Sequence, residues 1–201
     1  MHMTTTTIEC DENFKVSNNE GKHGEAFFYN RYGKLYSDNE NRLIDISETN
    51  FGHKHDVDFV EKIGECVNKK IEVKVDKRCD GFSFSGKNPT GNLTYELLSH
   101  GQLGWSVKTQ ADVVVFILGN CNYRTKEFSI TRTVFVDMNK WRNYLLITPK
   151  SVCWLKEEHQ KSAEDEIADL RYSVDELVSA GVIIGIDDSV FGEKINFNEK
   201  L

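Results

Sequence analysis

Apolar residues along this chain occur mostly in short runs, which turn-forming residues separate. Runs of this length, rich in Val, Ile, Leu and Phe, are typical of β-strands. The pattern predicts strands at 43–47, 56–61, 70–76, 93–98, 112–118 and 128–136. The run at 113–118 is apolar throughout, which is typical of a strand buried on both faces. We therefore expect that strand to lie at the centre of a sheet.

Predicted helices flank these strands. Residues 22–36 combine aromatic and polar residues in an irregular helical pattern. Asp137, Ser162 and Ser173 each stand where a side-chain oxygen can cap a helix. No internal repeat and no linker rich in Pro, Gly or Ser divides the 201 residues. The sequence thus predicts one domain over 1–201, of class α/β (α+β) with a mixed sheet, with its core at about 20–136 and a peripheral helical extension at 137–201.

Two charged residues interrupt the apolar run at 70–76. Glu72 and Lys74 stand two positions apart, and successive side chains of a strand alternate between its faces. Glu72 and Lys74 should therefore project from one face, while Val73 and Val75 enter the core. Burying a carboxylate and an ammonium costs free energy unless the two groups pair or serve a function.

An aspartate upstream of this Glu-x-Lys triplet completes a known pattern. Asp58 followed by Glu72-Val73-Lys74 resembles the signature of the PD-(D/E)XK nuclease superfamily, although the proline before the aspartate is absent here. The stretch 45–116 further resembles a small phage and bacterial nuclease-like subgroup, through Thr90-Gly91-Asn92, Glu96, the Gly-rich turn at 101–105 and Thr109-Gln110-Ala111-Asp112. The resemblance implies a restriction-endonuclease-like core of a helix, three strands, a helix and a fourth strand.

The resemblance implies a role for each residue of the signature. Asp58 and Glu72 would be metal ligands, and the backbone carbonyl of Val73 would be a third. Oxygen ligands are those that Mg²⁺ and Mn²⁺ prefer, so one of these ions is the expected cofactor. The ion would polarise a phosphate and lower the pKa of a bound water. Lys74 would orient that water and stabilise the charge that develops at phosphorus.

Other acidic residues extend this candidate site. Strand periodicity puts Asp56 on the same face as Asp58, so it does not separate the two as metal ligands. Asp58 is preferred because two apolar residues directly follow it, as they follow the metal-binding aspartate of the superfamily. By the same resemblance, Glu25 of the first helix and Glu96 of the strand after the triplet are candidate catalytic residues. For Glu25, a solvent-exposed position on the helix is the alternative.

The formal net charge of −7 argues against a simple nucleic-acid binder. Its distribution weakens that objection, because residues 157–188 hold ten acidic residues against two basic ones. We interpret this acidic segment as a solvated helix face. Basic residues follow the Glu-x-Lys strand, where Lys77, Arg78 and Lys87 are the expected contacts to nucleic-acid phosphates.

Cysteine usage and hydropathy favour a cytoplasmic protein. The five cysteines are widely spaced and form no Cys-x-x-Cys pair, so we expect reduced thiols. No apolar run approaches the roughly 20 residues of a membrane helix, and the N-terminal residues lack the pattern of a signal peptide. We therefore expect a cytoplasmic protein that makes no membrane contact.

Together these patterns predict a Mg²⁺- or Mn²⁺-dependent deoxyribonuclease, and specifically an endonuclease of a phage, mobile-element or host-defence system. The alternative is a nuclease-fold protein that binds nucleic acid or a protein partner without cleaving it. RNA stays open as a substrate, and so does a homodimer. His53 and His55 do not predict a zinc site, because no second cluster completes four ligands with structural-zinc spacing.

Overall fold

The computed structural model describes residues 6–36, 41–77, 79, 89–99, 102–122, 124–145 and 168–201. Within these ranges the chain has a mixed α/β architecture of two sheets flanked by helices. The longest helix is α1 (Thr6–Tyr32), which continues into a 3-10 helix (Gly33–Tyr36). The other helices are short: α2 (Asn50–His55), α3 (Trp105–Lys108), α4 (Met138–Tyr144) and α5 (Val174–Ser179).

The strands divide between a larger and a smaller sheet. In chain order they are β1 (Asn41–Asp45), β2 (Phe59–Ile63), β3 (Cys66–Asp76), β4 (Asn92–Ser99), β5 (Gln102–Leu103), β6 (Val113–Asn122), β7 (Glu127–Asp137), β8 (Ala168–Ser173), β9 (Ile183–Asp187) and β10 (Lys194–Asn196). The larger sheet has the order β1-β2-β3-β6-β7-β10, and β9 also pairs with β7. Its β3 and β6 run parallel, and its other pairs are antiparallel. The smaller sheet has the order β5-β4-β8.

Strand β6 lies inside the larger sheet between β3 and β7, which confirms its predicted burial. Its odd-numbered residues from 113 to 117 belong to a core that includes Phe28 and Tyr32 of α1. Its even-numbered residues from 114 to 118 belong to a second core, with Tyr95 of the smaller sheet and Trp141 of α4. Each large apolar side chain buried in this way contributes roughly 1.5–3 kcal/mol. The two-residue period of the strand therefore serves both cores at once.

The second strand of the larger sheet begins later than predicted. Residues 50–54, which look turn-like in the sequence, belong to α2, and Thr49 Oγ1 caps that helix by accepting a hydrogen bond from Gly52 N at 3.0 Å. The helix ends at Asp56, whose φ of 46° lies in the left-handed region. Asp56 is therefore a helix cap rather than a strand residue, and β2 begins only at Phe59.

The prediction of a peripheral helical extension at 137–201 is wrong for the residues that the structure describes. Asp137 and Ser173 cap helices as predicted, by accepting hydrogen bonds from backbone N–H groups. However, β8 joins the smaller sheet, and β9 and β10 pair with β7 in the larger one. These pairings link residues far apart in the chain, so local patterns did not indicate them. The predicted helix after Ser162 lies outside the described residues.

The connection from β3 to β6 brings the two sheets together. After β3 the chain forms β4 and β5 of the smaller sheet and then returns through α3 to β6. The described part of this connection contains one helix, the four-residue α3. The return places α3 and β4 on the face of β3 and β6 that is opposite to α1.

Helix α1 approaches β3 most closely at a glycine. A Cβ atom at Gly24 would lie 2.4 Å from Cγ2 of Val75, whereas a Cβ atom at Gly21, one turn earlier, would meet only Glu25 Oε1, at 3.9 Å. We predict that Gly21→Ala raises the free energy of unfolding by about 0.5–1 kcal/mol, because alanine favours the helix. Gly24→Ala should lower it by about 1–3 kcal/mol, because α1 must move away from β3.

Urea unfolding of both variants measures this difference. Gly21→Ala is the matched control, since it makes the same substitution in the same helix. Equal effects of the two substitutions would show that α1 has room to move at Gly24.

Candidate active site

A cleft opens where β2 stops pairing with β3. The last backbone contact between the two segments is the hydrogen bond from Asp58 N to Ile71 O, at 2.9 Å. One step further along β3, Val73 N donates to the side chain of Asp58 at 2.7 Å. The Asp58 carboxylate thus replaces a strand at this point of the ladder. The N–H and C=O of one strand residue point to the same side, so the carbonyl of Val73 also faces this edge.

The cleft has a volume of about 560 Å³ and lies between α1 and β3. The residues that line it are mostly charged or polar. The full lining is Asn18, Glu20, Gly21, Glu25, Asp56, Asp58, Glu72, Val73, Lys74, Val75 and Lys77. The structure therefore brings together Asp56, Asp58, Glu72, Val73, Lys74, Glu25 and Lys77 of the predicted site.

Glu72 and Lys74 project from the same face of β3, as the strand period predicted. Glu72 is only 3% exposed, and its Oε1 forms an ion pair with Lys74 Nζ. Among the described residues, Glu72 Oε2 is buried without a hydrogen-bond partner. A buried carboxylate oxygen that lacks a donor costs free energy. The arrangement is therefore one that a bound cation would stabilise.

The Lys74 ammonium lies over an aromatic ring as well as beside a carboxylate. Its Nζ is 5.3 Å from the centre of the Trp105 ring, a cation–π contact from α3. Burial disfavours the charged ammonium, but the carboxylates of Glu72 and Asp58 more than offset this effect and raise the Lys74 pKa. Lys74 is therefore positively charged at neutral pH.

Three carboxyl groups of the cleft have raised pKa values. Burial is the main cause for Asp58, and repulsion from Glu72 and Glu25 adds to it. Burial also raises the pKa of Glu72, against the opposing effect of Lys74. For Glu25, burial raises the pKa, and a hydrogen bond with Ser47 opposes the change. The three groups repel one another when charged, which is typical of a functional site.

Asp56 is held at the rim of this cluster by contacts of its own. Its Oδ2 lies 3.0 Å from Lys108 Nζ of α3, an ion pair without hydrogen-bond alignment. Its backbone carbonyl accepts a hydrogen bond from Thr109 Oγ1 at 2.7 Å. The segment just before β6 thereby fixes the segment that carries Asp58. Thr109 therefore has a structural role in the folded protein.

Helix α1 contributes the other carboxylates of the cleft. Glu25 lines it, so the structure brings the first helix to the site as the sequence hypothesis proposed. Glu20 forms an ion pair with Lys77 at 2.5 Å, which ties α1 to the end of β3. Because α1 lies close to β3 at Gly24, the side chains of Glu20 and Glu25 reach the cleft.

Some predicted site residues lie elsewhere. Glu96 is on β4 of the smaller sheet and does not line the cleft. Its backbone carbonyl accepts a hydrogen bond from Ser106 Oγ at 2.6 Å, which joins β4 to α3. Arg78 and Lys87 lie outside the described residues. Lys77 lines the cleft, but it is paired with Glu20.

Trp105, Lys108 and Glu20 are the site residues that the sequence did not predict. Trp105 looks like an ordinary core aromatic in the sequence, and only the return of the chain through α3 carries it to Lys74. Lys108 stands three positions later and pairs with Asp56 for the same reason. Glu20 carried no local signal either, because five positions separate it from Glu25, whereas neighbours on one face of a helix are three or four positions apart.

The donor atoms of the cleft fit a hard divalent cation. Within the described residues, no group of three or more His, Cys, Asp or Glu side chains is already arranged around a common metal position. The carboxylates of Asp58, Glu72 and Glu25 nevertheless face one cleft, and Glu72 Oε2 lacks a partner. Oxygen atoms of this kind are the ligands of Mg²⁺ and Mn²⁺. We therefore regard Asp58, Glu72 and the Val73 carbonyl as the residues that would hold such an ion.

No family model, curated protein or solved structure matches this chain. The resemblance to the PD-(D/E)XK superfamily therefore rests on the sequence motif alone. In the part of the chain that the structure describes, no helix has the length and apolar character required to cross a membrane.

The raised pKa of Asp58 gives a prediction about stability. Folded Asp58 holds its proton more tightly than the unfolded chain does, so ionising it costs stability as the pH rises above the usual carboxyl value near ~4. Asn is uncharged and keeps an oxygen for the Val73 N–H group. We predict that Asp58→Asn raises the free energy of unfolding of the metal-free protein at pH 7 by about 0.5–2 kcal/mol.

Urea unfolding in EDTA at pH 7 and near pH 4 tests this prediction. The gain should shrink at the lower pH, where the wild-type carboxyl is also neutral. A loss of stability at pH 7 would show that the Asp58 charge is well compensated in the folded protein.

Proposed function

We propose that this protein is a metal-dependent nuclease that hydrolyses phosphodiester bonds of DNA as an endonuclease. The observation that carries the proposal is the convergence of Asp58, Glu72 and Lys74 on one cleft at the open edge of β3. These are the three residues of the Asp and Glu-x-Lys signature. They come from two segments that β2 and the turn at Gly64 separate in the chain.

The order of the elements agrees with this proposal. Helix α1 precedes the three antiparallel strands β1 to β3, and β6 then runs parallel to β3. The restriction-endonuclease-like core has a second helix before its fourth strand. We assign α3 to that position, although it has only four residues.

Asp58, Glu72 and the Val73 carbonyl would hold a Mg²⁺ or Mn²⁺ ion. When bound, this ion would polarise the phosphate and lower the pKa of a water molecule, so that hydroxide is available near neutral pH. Asp58 also orients β3, because its carboxylate accepts the Val73 N–H group. Glu25 adds a further carboxylate that could accept a proton or a hydrogen bond from a water.

Lys74 would act on the substrate directly. Its ammonium remains charged beside the carboxylates and would stabilise the negative charge that develops on the phosphate oxygens. In the structure it is paired with Glu72. A cation on Glu72 would compete for that pair and release the ammonium toward the substrate, while the Trp105 ring keeps it within the cleft.

Lys77 is the described member of the predicted phosphate contacts. It lies at the end of β3 beside the cleft, where the next phosphate of a bound strand could reach it. We assign Arg78 and Lys87 to the same path on sequence grounds. RNA stays open as a substrate.

The second candidate function is a protein that binds nucleic acid or a protein partner without cleavage. Two observations favour it: the net charge of −7, and the ion pair by which Lys74 already neutralises Glu72. Cleavage assays separate the two candidates. Labelled linear, nicked and four-way-junction DNA, each with Mg²⁺, Mn²⁺ or EDTA, covers the substrate structures that the cleft could accept.

We predict that Glu72→Ala and Lys74→Ala each lower the cleavage rate by about 10²-fold or more, because the first removes a ligand of the metal ion and the second removes a positive charge at the phosphate. The matched controls are Glu127→Ala and Lys194→Ala, which break an ion pair of 2.9 Å between β7 and β10. The control variants should cleave at the wild-type rate. Full activity of either Glu72→Ala or Lys74→Ala would refute the assignment of that residue.

The metal dependence gives a second prediction. Mg²⁺ and Mn²⁺ should support cleavage, EDTA should abolish it, and Ca²⁺ should bind without turnover because it relaxes the octahedral geometry. Titration calorimetry should show that Asp58→Asn eliminates Mn²⁺ binding. Asp56→Asn should retain a measurable part of it, because Asp56 is already paired with Lys108. The reverse result would make Asp56 the ligand.

A further inference from the structure

We propose that a second cavity beside the active-site cleft binds a nucleobase of the substrate, next to the phosphodiester bond that is cleaved. This inference rests on the proposed function and adds a binding site to it. We call this cavity the base pocket. Its volume is about 320 Å³, and its lining includes Lys22, Glu25, Tyr29, Asp45, Glu48 and Phe59.

The base pocket is directly adjacent to the cleft. Glu25 lines both cavities. Asp58 lines the cleft, and the next residue, Phe59, lines the base pocket. A nucleotide whose phosphate lies at Asp58 and Glu72 would therefore carry its sugar and base past Glu25 toward this pocket.

Two stacked aromatic side chains in the pocket lining, Tyr29 and Phe59, favour a flat ring as the ligand. Tyr29 is 49% exposed, which is a large fraction for an aromatic side chain. Its ring stacks on Phe59, with 6.1 Å between the ring centres and 20° between the planes. Phe59 packs against the Tyr29 ring, and the exposed half of Tyr29 is the part that a ligand can contact. Stacking of bases on such rings is the usual way in which proteins bind single strands.

The charges around the pocket decide which part of a nucleotide can enter it. Glu25, Asp45 and Glu48 face it, and the one lysine of its lining, Lys22, forms an ion pair with Glu48. A phosphate would meet net negative charge there, whereas a base carries none. Its volume falls in the range of about 300–1,000 Å³ that is typical of small-molecule sites. The base, rather than the backbone, is therefore the expected occupant.

Abasic scanning tests the proposal. Single-stranded oligonucleotides, each with one abasic site at a different distance from the cleavage position, are compared with the intact strand for kcat/KM. A parallel series measures affinity by fluorescence anisotropy in Ca²⁺, which should occupy the cleft without supporting cleavage. The variants are Tyr29→Leu, which keeps an apolar cover on Phe59, and Tyr29→Phe, which keeps the ring. Phe191→Leu is the matched control, since Phe191 is 76% exposed and lies outside the pocket.

We expect one flanking abasic site to lower wild-type kcat/KM about 5- to 100-fold, the range that the loss of base stacking produces. Tyr29→Leu should cleave the intact strand that much more slowly and should no longer respond to the abasic site. Tyr29→Phe and Phe191→Leu should both behave as the wild type. Equal cleavage of all abasic strands by the wild type, or an unchanged abasic effect in Tyr29→Leu, would overturn the base pocket while the proposed function stands.

Absence of cleavage of single-stranded, linear, nicked and four-way-junction DNA alike, under every metal condition, would instead overturn the proposed function. If the wild type cleaves no single strand, the anisotropy series decides about the pocket on its own. Weaker binding of one abasic strand, lost in Tyr29→Leu but kept in Phe191→Leu, would support it as a site for nucleic acid. Equal affinities throughout would overturn the pocket as well.

Discussion

The candidate site depends on the hydrogen bond from Val73 N to the side chain of Asp58. Strand β2 pairs with β3 only as far as Ile71, and an ordinary partner strand would close the edge beyond that point. A carboxylate there satisfies one N–H group and leaves the space beside it open. Had β2 begun at Asp56, backbone pairing would have occupied the position of the cleft. The left-handed cap at Asp56 prevents this, because it turns the chain out of extended geometry just before Asp58.

A cluster of buried carboxylates lowers the stability of the fold, and the packing around the cluster offsets this loss. Asp58, Glu72 and Glu25 raise the pKa values of the cluster through burial and mutual repulsion. On both sides of the same sheet, β6 contributes fully buried apolar residues to two cores. Close packing of this kind fixes the position of β3 in the sheet. The strand therefore stays in place although positive groups neutralise the carboxylates beside it only in part.

Local sequence patterns predicted which residues of the signature lie together better than they predicted the surroundings of these residues. The two-residue period of a strand was enough to place Glu72 and Lys74 together and to bury Val73. The same period failed at Asp56, because a short capped helix replaces the start of the predicted strand. Trp105 could not be predicted as a neighbour of Lys74, since no local pattern indicates how the chain returns from β4 to β6. The strands β8, β9 and β10 were missed because they pair with β4 and β7, which lie far from them in the chain.

The acidic character of the cleft is compatible with a polyanionic substrate only if a cation is present. Its lining contains five carboxylates, Glu20, Glu25, Asp56, Asp58 and Glu72, against Lys74 and Lys77. A phosphate entering such a cleft would be repelled at short range, where salt screens charges least. Under the proposed function, a divalent ion at Asp58 and Glu72 offsets much of this excess and frees Lys74 for the phosphate. The negative charge of the protein argues against nucleic-acid binding, but the part of it that lies in this cleft would then attract the metal. By the same proposal, the carboxylates of the adjoining base pocket would direct the backbone of the strand toward the metal and the base toward Tyr29.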